Sequence, residues 1–124
     1  MLYIIIILIS LIFLYYLLRS KNIIESYNKI PSILHKTGPY DEPTYELQNI
    51  FFYNKKRLNL NNLYYYNDKD CKNLVDSIDY RISQAYDSLI PTAYKADIWR
   101  YCVLYKYGGV YGDMTQRFFK EYNV

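Results

Sequence analysis

The chain has 124 residues, of which 52% are hydrophobic and 18 are tyrosines, and its formal net charge is +3. With an apolar first stretch set aside, about 100 residues remain, one small domain and no room for a second core. There is no run of five or more Lys/Arg, so a nucleic-acid partner is not expected, and the lack of repeats or low-complexity tracts points to a folded chain.

From Leu2 to Leu18 the sequence LYIIIILISLIFLYYLL carries no charge and, besides its tyrosines, one hydroxyl, Ser10. As a helix rising about 1.5 Å per residue it covers roughly 25 Å, enough for a thin bilayer. A secretory signal would have a basic start and a small-residue cleavage site, and this stretch has neither. Residues 1–19 are therefore expected to form one N-terminal transmembrane helix, an uncleaved signal-anchor, with Tyr15 and Tyr16 at the membrane interface; the competing readings are a buried core helix and a signal peptide. Arg19 and Lys21 follow it, and the positive-inside rule alone would leave the rest of the chain in the cytosol. Residues 20–29 read as a polar spacer.

IPSILHKTG reads as a short buried first strand, begun by Pro31 and stopped by Thr37-Gly38. Its His35 reads as a satisfied structural histidine. Pro43 fits the first turn of a helix through TYELQNIFFYNKKRL, where Leu47, Ile50, Phe51 and Leu58 keep helical spacing and Lys55 to Arg57 suit the C-terminus. NLYYYND is a second strand, and Asp68 or Asp70 can cap a short helix through CKNLVDSI. Strand, helix, strand, helix is the α/β pattern.

YRISQAYDSL is a weaker helix stopped by Pro91, and a strong one runs from about Thr92 to Tyr107 with Tyr94, Ile98, Tyr101, Cys102 and Tyr105 as its apolar stripe. Gly108 and Gly109 end that helix and turn the chain into a strand at Val110-Tyr111. Ligands of open α/β sheets bind beside the C-terminal ends of strands, and here that end carries Gly112, Asp113, Met114 and Thr115.

Asp97 and Arg100 lie three apart on one helix face, one turn before this loop. Spacing alone leaves two readings: a surface ion pair, or a pair turned into the cleft beside Asp113 to hold a polyhydroxylated, phosphorylated ligand. Asp113 alone is equally open, as a turn residue or as half of a metal site. Cys71 and Cys102 lack C-x-x-C spacing and His35 is the single histidine, so no structural zinc site can be assembled. The cysteines are compatible with one disulfide, or with Cys102 as a small core residue.

AYKADIWRYCVLYKYGGVYGDM resembles the signature of the DXD-containing sugar-binding region of glycosyltransferase family 32, through Ala96, Asp97, Arg100, Tyr101, Leu104, Tyr105, Gly108, Gly109, Val110, Tyr111 and Asp113. IPSILHKT and LYYYNDKDCKNLV resemble the family's first strand and its second strand and helix, so the resemblance spans about residues 30–115. It implies a partial GT-A sheet, Rossmann-like and nucleotide-sugar-binding, and a hexosyl transfer that retains anomeric configuration. It also implies donor-sugar contacts from Asp97, Arg100, Tyr111 and Asp113, a nucleotide contact from Thr37, and a divalent metal, manganese or magnesium, at Asp113 and Thr115.

The implied partners are a nucleotide sugar and a glycan, glycolipid or glycoprotein acceptor, with the domain in a Golgi-like lumen, against the charge bias of Arg19 and Lys21. Three departures stand out. Thr115 replaces the second aspartate, a weaker ligand for a hard dication, with Arg117 or Lys120 as substitute cations for the diphosphate or as solvated basic residues. Gly38 replaces a base-stacking tryptophan, with Tyr40 nearby. Residues 30–124 are expected to be a truncated donor-binding domain without its acceptor half, either the donor-binding part of a membrane-anchored enzyme or an inactive membrane-bound relic acting as a binding or scaffold protein.

Overall fold

The computed structural model describes residues 2–27 and 29–119, with side chains from residue 8 to 21 and from 29 onward. Helix α1 (Leu2–Tyr27) is followed by β1 (Ile33–Thr37), α2 (Tyr45–Arg57), β2 (Asn62–Tyr66), α3 (Asp68–Asp76), α4 (Tyr80–Ser88), α5 (Thr92–Tyr107) and β3 (Val110–Tyr111). The fold is mixed α/β, and its three strands form one parallel sheet in the order β2-β1-β3. Ile33 pairs with Asn62 and Thr37 with Tyr66 on one side of β1; Leu34 pairs with Val110 and His35 with Tyr111 on the other.

Alternation along β1 sorts the two layers. Leu34 and Lys36 face the α2 side, where Leu34, Leu58 and Leu60 form a small core with Leu63, Val110 and Phe118. His35 and Thr37 face the α3–α5 side, where the larger core gathers Cys71, Leu74, Val75, Tyr86, Trp99, Cys102 and Val103. The central strand thus carries two polar residues, His35 and Lys36, that are fully buried.

Several local expectations change. Helix α1 continues through Tyr27 across most of the expected spacer. Pro43 lies outside α2, because Thr44 is the N-cap and its hydroxyl accepts from the Leu47 amide. The cap of α3 is Asn67, which accepts from the Asp70 amide at 2.9 Å while the Asp70 carboxylate accepts from the Asn67 amide. This reciprocal box satisfies two of the first-turn amides that an Asp68 cap would have left open.

In α5 the buried face is Trp99, Cys102 and Val103, not the tyrosine stripe; Tyr101 and Tyr105 are 74% and 84% exposed. Trp99 offers the larger apolar surface to the sheet, and the tyrosines keep their hydroxyls in water. Only Cys102 belongs to both sets. Cys71 and Cys102 are both buried free thiols. Along α1 the apolar side chains from Leu8 to Leu18 are all exposed. Among the described residues no helix is long and apolar enough to cross a membrane, and the side chains of residues 2–7 in the expected span lie outside those described.

Candidate functional site

The site begins with the turn that ends α5. Gly108 has φ +65° and Gly109 φ +86°, and a Cβ on Gly109 would lie 2.7 Å from the Ile33 carbonyl oxygen. Glycine is the residue that permits both the left-handed backbone and that approach. The chain then runs beside β1, and the Gly112 amide donates to the His35 carbonyl at 3.3 Å. Asp113 emerges next, beside the C-terminal end of β1.

His35 fixes the base of this turn. Its Nε2 donates to the Gly108 carbonyl at 3.0 Å, and Nδ1 accepts from the Tyr66 hydroxyl at 3.3 Å. Burial lowers its pKa against the opposing effect of the Gly108 bond, so the neutral ring is favoured and both nitrogens are used. The structural reading of this histidine holds.

Arg100 joins the two acidic residues. Its Nη2 forms an ion pair with Asp97 Oδ1 at 3.0 Å and donates to Asp113 Oδ1 at 3.2 Å. The Tyr111 hydroxyl donates to the same Asp113 oxygen at 2.9 Å, and the guanidinium lies 4.8 Å from the Tyr111 ring centroid. The pair is thus the i,i+3 ion pair of the first reading, and Arg100 also reaches Asp113, while neither Asp97 nor Arg100 is among the residues that line the adjoining cleft. Burial, with the Asp113 carboxylate beside it, pushes the Tyr111 hydroxyl up to about 12, so its proton stays in place as a donor. Burial works against the Arg100 charge, but Tyr111, Asp113 and Asp97 together raise its pKa.

Of these groups, Tyr111 and Asp113 line a cleft of about 200 Å³ between β1, α3 and α5, together with Thr37, Gly38, Asp68, Ala96 and Trp99 among others. Thr37 lies on the wall, but its hydroxyl donates to the Tyr66 carbonyl at 2.9 Å and meets Cys71 Sγ at 3.0 Å. Its first duty is thus to tie β1 to the start of α3. Gly38 sits where a Cβ would meet Met114 Sδ at 2.8 Å and the Tyr65 hydroxyl at 2.9 Å, so those side chains occupy the space a larger residue would need. Tyr40 is not a lining residue, and its carbonyl accepts from the Tyr65 hydroxyl.

Asp113 and Thr115, the expected metal ligands, offer one carboxylate and one exposed hydroxyl. Among the described residues no group of three His, Cys, Asp or Glu is placed to hold an ion. Such a donor set fits a cation that takes its other ligands from phosphate oxygens and water, as magnesium commonly does. It does not fit one held by protein alone. Arg117 is exposed beyond the turn, and Lys120 lies outside the described residues.

Trp99, Lys36 and Asn54, which sequence reading passed over, belong to the site's support. Trp99 Nε1 and Arg100 Nε are buried beside the cleft without a hydrogen-bond partner among the described residues, an uncommon state for buried polar atoms. Lys36 and Asn54 are fully buried under the Asp113 loop. The only signal in the sequence was a lysine in the middle of a strand that otherwise reads as core.

No curated protein and no solved structure matches the chain. The family described as the glycosyltransferase sugar-binding region containing the DXD motif matches residues 20–123, and the chain belongs to that family.

Proposed function

We propose that the cleft binds a nucleotide sugar and that this chain is the donor-binding part of a membrane-anchored hexosyltransferase built on a GT-A sheet. One observation carries the reading: Asp113, at the strand end beside Thr37 and Asp68, has its carboxylate fixed by Arg100 and Tyr111 at the rim of the cleft. Fixed charges and donors at such a rim suit hydroxyls and phosphates better than an apolar ligand.

In this reading Asp97 and Asp113 accept hydrogen bonds from sugar hydroxyls. Arg100 holds both carboxylates in register, and Tyr111 keeps its proton on Asp113. Asp113 and Thr115 would hold the divalent ion, whose chemistry is to neutralise the diphosphate as it leaves. Thr37 and Asp68 face the nucleotide end. A second reading, a binding protein without turnover, is favoured by Thr115, a neutral hydroxyl at the second acidic position of the motif.

We also propose that α1 anchors the chain in a membrane with the domain in the lumen. The apolar side chains from Leu8 to Leu18 are exposed around the whole helix rather than packed on the domain, which supports an apolar surrounding. Carbonate extraction tests the anchor and a C-terminal glycosylation tag tests the side; release by carbonate, or an unmodified tag, would refute the respective claim.

The donor reading is tested by calorimetric titration of the full chain in detergent with UDP-glucose and GDP-mannose, each with and without manganese. Binding of either ligand is expected. No heat under any condition refutes the donor site, and binding indifferent to manganese refutes the metal alone. Binding without transfer to any offered acceptor selects the second reading.

A further inference from the structure

The loop that bears Asp113 and Thr115 is gripped from below. Lys36 Nζ, from the middle of β1, donates to the Asp113 carbonyl at 2.8 Å and reaches the Gln116 carbonyl at 3.5 Å. Asn54, on the inner face of α2, uses both ends of its amide: Nδ2 donates to the Gln116 carbonyl at 2.6 Å, and Oδ1 accepts from the Phe118 amide at 3.0 Å. Both side chains are fully buried. The Lys36 ammonium also lies 5.5 Å from the Phe51 ring centroid and 5.8 Å from that of Phe118, so its aliphatic stem and its charge are both enclosed.

The loop's own bonds are few. The Gln116 amide donates to the Asp113 carbonyl at 3.0 Å, and the Asp113 amide donates to Gln116 Oε1 at 3.1 Å. These close one turn but do not fix that turn to the sheet. The fixing comes from residues 77 and 62 positions earlier in the chain. Burying an ammonium is costly, and an apolar residue would fill the same space without that cost. A lysine here makes sense where its donors accomplish something that packing cannot.

We propose that Lys36 and Asn54 are positioning residues that hold the Asp113–Phe118 backbone against the sheet and so set the direction of the Asp113 carboxylate in the cleft. Neither residue touches the ligand. They act through the carbonyls of Asp113 and Gln116 and the amide of Phe118, leaving the Asp113 side chain to Arg100 and Tyr111. The role in the cleft rests on the donor-site reading above; the grip on the loop does not.

Amide hydrogen exchange on the full chain separates the two. In Lys36→Met and Asn54→Ser, exchange at Asp113, Gln116 and Phe118 is expected to accelerate at least about tenfold, a local opening easier by about 1.4 kcal/mol. The amides that join β1 to β2, and those of α5, are not accelerated in either variant. Unchanged loop exchange in both variants would overturn the proposal. So would uniform acceleration across the whole domain in both, since the two residues would then be ordinary members of the core.

Titration with UDP-glucose and GDP-mannose is run in parallel. Where wild type binds one of them, Kd is expected to rise about tenfold in both variants, and an unchanged Kd would overturn the step from loop to cleft. Where wild type binds neither, the donor-site reading falls, and with it that step, while exchange still decides the grip.

Discussion

Lys36→Met is expected to make the protein more stable while loosening its site. Burial, opposed by the nearby Asp113 charge, lowers the Lys36 pKa from 10.5 to about 8. At about 1.36 kcal/mol per pH unit, keeping this ammonium charged at pH 7 costs the folded state about 3 kcal/mol. Methionine removes that cost at similar volume and gives up a hydrogen bond worth about 1 kcal/mol. Neither carbonyl is orphaned, because Asp113 still accepts from the Gln116 amide and Gln116 from Asn54. The net gain is about 2 kcal/mol at pH 7.

The sign with pH follows from proton counts. Between pH 8 and 10.5 the unfolded chain holds a proton on Lys36 that the folded chain has released, so wild-type stability from this group rises with pH. The lead of Lys36→Met should therefore fall to under about 1 kcal/mol by pH 9.5. Urea titrations of both proteins with chelator present, at pH 7 and 9.5, read the difference directly, and tyrosines and cysteines shared by both cancel. A midpoint higher by roughly 1 M at pH 7 is expected. A variant no more stable than wild type at pH 7, or a lead independent of pH, would refute the reasoning.

Other perturbations probe different links. Gly109→Ala forces a side chain into a left-handed backbone and to 2.7 Å from the Ile33 carbonyl oxygen, so a loss of about 2 kcal/mol or more is expected by urea unfolding; a near-neutral result would contradict the turn geometry. Thr115→Asp supplies the second carboxylate, and manganese affinity, read by calorimetry with a nucleotide sugar present, should tighten about tenfold; no change would remove Thr115 from the metal site. His35 has a lowered pKa through burial, so the unfolded chain takes its proton first and stability should fall as pH drops below 6.5; equal acid sensitivity in His35→Gln would show that other groups are responsible.

Much of the fold was legible because it rests on short-range signals. The double glycine, the helix from Thr92 to Tyr107 and the strand-helix alternation came from spacing and turn chemistry, and the structure places them within a residue or two. Asp97, Arg100, Tyr111 and Asp113 were named from a motif, and the structure brings their side chains together. Less legible were choices decided by tertiary competition. The buried face of α5 turned on Trp99 outbidding three tyrosines for the sheet, and the cap of α3 on Asn67 being one residue earlier than the first aspartate. The roles of Lys36 and Asn54 were hidden for a simpler reason: beyond a lysine amid core residues, nothing local shows a polar residue whose partners lie more than 60 positions away.

The sheet order has a consequence for how the molecule comes together. The middle strand β1 is the first strand in the chain, yet its pairing with β3 closes a loop of more than 70 residues that contains every helix from α2 to α5. Closing so long a loop is slow, and the contact yields nothing until the intervening elements are in place. The Asp113 loop is therefore set to dock last as the chain folds and to detach first when it is stressed. A ligand touching both Thr37 and Asp113 would act as a cross-link between the two ends of that loop, so its presence should be felt first in the unfolding rate.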